Sequence, residues 1–298
     1  MYASGTAPAL GSGYEPIQLT RVGYTTIIVQ AREFACLLFH HLDGSLMIEI
    51  DDRGMVSILR MSRGKGNALN LELVEALGKA LDDLESSSTR AGVITGSGNI
   101  FSAGVDLPAL VDGGATYVQR LLPLIQRGFE RLATFPKPLV AAINGHAIAG
   151  GAVLMLTCDQ RLLARGTARI GLTELQVGVR FPGWGLEIVR FATPPQHLST
   201  LLYTGRTWLP DEALARGLVD ELVEPERLLD RACEVAEGLG SIPPQAFKAT
   251  KLALRRPMIE AAQRQSALSD AAVIEQWCAP ETLQSVARFA EKAIKRAK

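Results

Sequence analysis

Residues 143–156 read I-N-G-H-A-I-A-G-G-A-V-L-M-L and constrain the fold more than any other stretch of the chain. Residues 138–143 lead in as an apolar run with the length and branching of a buried strand. Asn144-Gly145 breaks that run, and from Ala149-Gly150-Gly151-Ala152 an apolar, helix-compatible pattern continues to Thr157. Small residues at a helix start let another group approach the backbone, because glycine has no Cβ in the way. The first N–H groups of a helix lack partners within it and carry partial positive charge, which suits an oxygen that gains negative charge during a reaction. The same glycines are also compatible with a tight strand-to-helix turn that serves packing alone.

A second stretch repeats the arrangement. Residues 101–107 read F-S-A-G-V-D-L after a strand-like run at 92–96. Two small-residue turns, each following a parallel-type strand, can aim two backbone N–H groups at one point and so build an oxyanion hole without polar side chains.

Several function classes are excluded by what the chain lacks. Lys+Arg and Asp+Glu stand at 31 each, so no basic field argues for nucleic acid. The cysteines at 36, 158, 233 and 278 form no Cys-x-x-Cys pair and read as reduced thiols of a cytoplasmic protein. His40, His41, His146 and His197 have no metal-ligand spacing, so no metal site is expected, and His146 reads as a turn residue more readily than as a base. No run of eighteen apolar residues occurs, so no membrane span is expected. Gly96-Ser97-Gly98 lacks the third glycine of a dinucleotide fingerprint and no Walker lysine follows a glycine run, so no cofactor is expected.

Along the chain, residues 47–51 and 55–61 read as a hairpin turning at 52–54. Asn70 can cap a helix that carries Leu73, Leu77, Leu81 and Leu84 on one face. Further strands are expected at 92–96, 138–143 and 161–164, an extended piece at 168–171, and a long amphipathic helix at 117–134. Residues 107–114 and 179–186 read as pocket-lining loops, with 181–185 a loop before a helix at 186–191 and another helix at 197–203. Residues 209–217 read as a helix ending at Gly217, followed directly by a strand. From Pro225 onward only helix patterns remain, with breaks at Pro243-Pro244, Pro257 and Pro280. Strand–helix units followed by helices alone give an α/β core with a helical C-terminal appendage.

The motifs F-S-A-G-V-D-L, N-G-H-A-I-A-G-G-A, C-D-Q-R-L-L-A and I-G-L-T-E-L-Q-V-G-V occur in that order, and over residues 46–257 the chain resembles the crotonase superfamily, the enoyl-CoA hydratase/isomerase family. The resemblance implies a ββα spiral catalytic core at 46–224 and a helical C-terminal oligomerisation region at 225–298, with a homotrimer or dimer of trimers as the assembly. Residues 1–45 precede it and are expected to be an extension or an over-called start, with Met47 as the beginning. It implies an acyl-CoA thioester substrate, coenzyme A being part of that substrate, and backbone N–H groups of Ala103 and Gly150 on the thioester oxygen. Ser102, Gly104, Asp106, Leu107, Gly151 and Val153 are implied as substrate-binding residues. Arg63, Lys65, Asn67 and Ala68 resemble the stretch that meets the coenzyme A nucleotide, where Arg63 or Lys65 would face a phosphate or simply solvent; Gly64 replaces the family's usual proline.

Glu174 resembles one of the two glutamates of the family's hydratases, and Val153 occupies the position of the other. A valine moves no proton, so two-carboxylate water addition is impaired. The pattern is similar to the 3,2-enoyl-CoA isomerases of fatty acid oxidation, which keep only the later glutamate. A hydratase, another crotonase-fold enzyme (dehalogenase, decarboxylase or thioester hydrolase) and a non-catalytic binding member of the fold remain alternatives.

Overall fold

Alternation of apolar and polar residues sets the first elements. β1 (Ile48–Arg53) pairs antiparallel with β2 (Val56–Met61) around Gly54, whose φ of +61° suits a glycine. The computed structural model describes residues 47–64 and 66–296. The segment read as an N-terminal extension lies outside the described residues.

α1 (Leu71–Ser86) starts where Asn70 Oδ1 accepts the Leu73 N–H at 2.9 Å, and its leucine face is buried as expected. The chain then builds three strand pairs, each giving one strand to a large sheet and one to a small sheet. β3 (Ala91–Gly96) and β4 (Ile100–Ser102) lead into α2 (Leu107–Ala133). β5 (Leu139–Ile143) and β6 (His146–Ile148) lead into α3 (Gly150–Leu156). β7 (Gln160–Ala164) and β8 (Ile170–Gly171) lead into α4 (Glu174–Val177). Then come α5 (Gly183–Ala192), α6 (Pro195–Thr204), β9 (Thr207–Trp208), α7 (Pro210–Ala215) and β10 (Glu221–Val223). After a 3₁₀ turn at Pro225–Arg227 the rest is helical: α8 (Leu228–Gly240), α9 (Pro244–Cys278) and α10 (Pro280–Arg296).

The large sheet has the order β1-β2-β3-β5-β7-β10 and is parallel from β2 onward; the small one runs β4-β6-β8-β9, parallel through β8. This is the ββα spiral, an α/β architecture with a helical appendage. One face of the large sheet buries Val56, Ile58, Val93 and Val140 against Ala232 and Ala236 of α8. The other face turns Leu59, Ile94, Ala141 and Leu163 into the main core with α1, α2 and α3.

The long helix α9 is tied to this core from below. Arg255 Nη1 donates to Ala133 O and Thr157 O, both at 2.9 Å, so one guanidinium holds the C-terminal ends of α2 and α3. Its Nη2 and the Lys251 ammonium reach the two oxygens of Asp159, at 2.8 and 2.7 Å.

Several expectations are corrected. Pro257 does not break the C-terminal pattern: it lies inside α9. Buried Arg255 and Met258 pin the helix on either side of it, which offsets the lost backbone hydrogen bond. Residues 107–114 are helical rather than a loop. Asp106 Oδ1 caps them by accepting the Ala109 N–H at 3.0 Å, and a non-helical Gly114 (φ 56°, ψ −151°) kinks α2 where the loop was to end. Gly183-Trp184-Gly185 form the first turn of α5. The strand expected directly after Gly217 begins only at Glu221, because the Leu218 N–H turns back to Ala213 O at 3.0 Å and closes α7. A strand, β6, separates the Asn144-Gly145 break from α3.

Candidate active site

Glycines let the two motif loops meet. Gly104 has a φ of +82°, and a Cβ there would stand 2.7 Å from Ile148 O and 3.1 Å from Gly150 N. A Cβ on Gly151 would run into the Ser102 carbonyl. The loop after β4 therefore packs directly on the start of α3, and any side chain at either glycine would force the two apart. Ala149, which precedes α3, sits at φ 50° and ψ −124°. This conformation costs an alanine about 1–3 kcal/mol and is the kind of strain found at functional turns. Ala149 N–H donates to Gly171 O at 2.8 Å, which anchors the strained residue and fixes the direction of the next amide.

Ala103 was expected to supply the first oxyanion amide. Its N–H instead donates to Gly66 O at 2.9 Å, so it is already used. The free amide lies two residues on. Leu69 N–H donates to Gly104 O at 2.7 Å and Asp106 N–H donates to Leu69 O at 3.0 Å, which holds residues 104–106 extended beside Leu69. Val105, between those bonds, turns its N–H to the opposite side, as alternate residues of an extended chain do. Its nitrogen stands 3.8 Å from an ideal Cβ on Gly150. Among the described residues, neither Val105 N–H nor Gly150 N–H has an acceptor. The neighbouring amides left without an acceptor are thus those of Val105 and Gly150. The residue spacing marked the loop but could not show which of its amides the neighbouring loop consumes.

Val105 and Gly150 both line a cavity of about 530 Å³, whose wall also includes Ala68, Ala103 and Leu107. Val153 of α3 lines it and is 2% exposed. Leu122, Ile125 and Phe129 of α2 extend the apolar lining, as do Val177, Val179 and Phe181. The C-terminal helices, read from sequence only as an oligomerisation region, contribute Trp277 and Phe289 to the same wall. Helical periodicity marked Phe129 as a buried face, but nothing in the sequence marked Trp277.

Two acids line the cavity among the described residues, and their surroundings differ. Asp106 is committed: its Oδ2 meets Arg63 Nη2 at 2.7 Å while its Oδ1 caps α2. Glu174 is 8% exposed, and its Oε2 has no hydrogen-bond partner. Burial pushes its carboxyl up from an ordinary 4.5 to about 8, opposed in part by its own backbone N–H. Thr173 beside it adds a hydroxyl-bearing side chain to the wall.

The remaining expected residues fall into three groups. Arg63 lines the cavity, but it is held by Asp106 and by Ala68 O (3.4 Å) rather than presented freely to a phosphate. Asn67, Ser102, Gly104 and Gly151 do not line the cavity. Buried Asn67 ties the Arg63 N–H (3.0 Å) to Ile100 O (2.9 Å), and Ser102 Oγ donates to Asn67 O (2.8 Å), so these residues brace the amide-bearing loop from behind. Lys65 lies outside the described residues. Among the described residues no group of three His, Cys, Asp or Glu side chains could hold a metal ion, and no helix is long and apolar enough to cross a membrane.

Comparison with known proteins bears on the family and the fold. The family described as Enoyl-CoA hydratase/isomerase matches residues 52–296. A short-chain-enoyl-CoA hydratase of Clostridium acetobutylicum is 32% identical over 217 residues, 70% of this chain and 81% of that protein. The crystal structure of an enoyl-CoA hydratase from Mycobacterium marinum superposes with a TM-score of 0.71 at 30% identity, covering 76% of this chain and 99% of that one. The crystal structure of human mitochondrial delta3-delta2-enoyl-CoA isomerase superposes with a TM-score of 0.80 at 26% identity, over 85% of this chain and 100% of that one.

Proposed function

This chain belongs to the enoyl-CoA hydratase/isomerase family, and we propose that its reaction is the conversion of 3-enoyl-CoA to 2-enoyl-CoA by a single-carboxylate proton shuttle. The observation that carries this reading is the Glu174 carboxyl, whose Oε2 has no partner, in a cavity whose other acid, Asp106, is tied to Arg63 and where Val153 stands in place of the family's second glutamate. The thioester oxygen accepts the N–H groups of Val105 and Gly150. Ionised Glu174 takes a proton from C2, and the electron pair moves onto that oxygen as an enolate. The enolate collapses with the double bond between C2 and C3, and C4 receives the proton back from the Glu174 carboxyl. No water enters the balance, and one group that reaches both carbons completes it. Removal of one oxyanion donor typically raises such a barrier by about 3 kcal/mol. The raised pKa makes ionised Glu174 a stronger base than an exposed glutamate.

A second reading, hydration of 2-enoyl-CoA, is favoured by the hydratase names that several relatives carry. It needs one group to activate water and another to deliver a proton, and Val153 supplies neither. An absorbance assay with 3-hexenoyl-CoA and 2-hexenoyl-CoA side by side separates the two. Turnover of the first without hydration of the second is expected; hydration of the second at a matching rate would select the hydratase reading.

A further inference from the structure

α4, which carries Glu174, is a single helical turn. One turn has too few internal hydrogen bonds to hold itself, and its last carbonyls need partners from elsewhere. The structure takes those partners from the C-terminal helices. Ser285 Oγ of α10 donates to Val177 O at 2.8 Å. Gln276 Nε2 of α9 donates to Gly178 O at 2.9 Å, and Trp277 Nε1 donates to Arg180 O at 2.9 Å. Gln276 Oε1 also accepts the Arg180 N–H at 3.3 Å, and its Nε2 is within 3.1 Å of Thr282 Oγ1, so the amide is fixed at both ends. Glu174 O in turn accepts the N–H groups of Gly178 and Val179, each at 3.1 Å, so the held segment is bonded directly to the Glu174 backbone. Val177 and Val179 share an apolar cluster with Val273, Trp277 and Val286, which closes this side of the cavity.

We infer that Gln276, Trp277 and Ser285 are positioning residues for Glu174, acting through the backbone of residues 177–180. The C-terminal helices are thereby part of the reaction site within one chain, beyond any role in assembly. The inference rests on Glu174 being the base. Small displacements of a base from its carbon cost rate steeply, about 100-fold for 1 Å, while thioester binding, which depends on the rest of the cavity, changes little. The contacts therefore act on kcat more than on KM.

Three variants test this: Ser285→Ala, Gln276→Ala and Trp277→Phe, the last removing the Nε1–H while keeping an aromatic wall. With 3-hexenoyl-CoA each is expected to lower kcat by about 5- to 100-fold with KM changed by about two-fold or less, and Ser285→Thr to restore kcat. An activity-independent readout accompanies it: melting from pH 5 to 9 for each variant with Glu174 and with Glu174→Gln. The Glu174-dependent loss of stability at high pH is expected to shrink in the variants, as water reaches the carboxyl. If the wild type does not isomerise 3-hexenoyl-CoA yet this term shrinks, the positioning inference stands and the proposed reaction fails. If kcat and the Glu174-dependent term stay unchanged in all three variants, even with lowered melting temperatures, the contacts are structural only and the inference is overturned.

Discussion

Asp159 and Glu174 are two acids largely withdrawn from solvent, and the fold treats them in opposite ways. Asp159 accepts hydrogen bonds from Lys251 Nζ (2.7 Å), Arg255 Nη2 (2.8 Å) and the Leu139 backbone N–H (2.8 Å). Lys251 itself is buried deeply enough that its ammonium is pushed down to about 8, with Asp159 opposing that shift. Glu174 has an oxygen with no partner, and burial raises its pKa to about 8. A carboxylate saturated with donors holds helices together; one left unsatisfied stores the cost of its own ionisation and is free to react. The contrast is between a carboxylate bound by donors on both oxygens and one that keeps an oxygen free.

The largest expected effect comes from the unsatisfied acid. Glu174→Gln should lower kcat for 3-hexenoyl-CoA isomerisation by about 10²- to 10⁴-fold while leaving the fold intact, read by steady-state kinetics and circular dichroism. The saturated acid should behave in reverse. Asp159→Ala leaves Lys251 and Arg255 buried without their carboxylate, and should cost about 3–5 kcal/mol of stability in denaturant unfolding. The folded fraction of that variant should keep a near-normal kcat.

The next effect is a pH dependence of stability. Glu174 binds its proton more tightly in the folded chain, with a pKa of about 8 against an ordinary 4.5. Between those values the folded state therefore holds more proton than the unfolded state, and stability falls as pH rises. The loss is absent below about pH 4.5 and complete above about pH 8. Glu174→Gln removes it, so the variant should be more stable than wild type at pH 9, by a few kcal/mol at most, and close to it at pH 4.5. The smallest effect concerns the ion pair at the cavity wall. Arg63→Met should cost about 1 kcal/mol in unfolding and raise KM by loosening the loop that carries Val105, with Asp106 still able to cap α2.

The sequence carried the long-range architecture well. Leu73, Leu77, Leu81 and Leu84 announced α1, and the strands of the large sheet stood out because burial on both faces leaves near-continuous apolar runs. The small sheet was nearly invisible. Its strands have two or three residues, too few for any period, and β6 passed as part of a turn. Pro257 misled because local propensity yields to tertiary anchoring at Arg255 and Met258. At the site, Glu174 and Gly150, marked by the motifs, both line the cavity. That the Ala103 N–H is already taken was not legible, because it depends on the carbonyl of Gly66, which belongs to a different loop. Nor were Gln276, Trp277 and Ser285, whose hydrogen bonds cross about one hundred residues of sequence to reach residues 177–180.

The central claim, that one buried carboxyl with an unpartnered oxygen does the proton chemistry, is tested most directly by kcat/KM for 3-hexenoyl-CoA from pH 5 to 10 in wild type and Glu174→Gln. The account predicts a wild-type limb that rises with pH through a midpoint of about 8 and a depressed variant profile without that limb. A variant that keeps the wild-type rate, or the same rising limb, would contradict it.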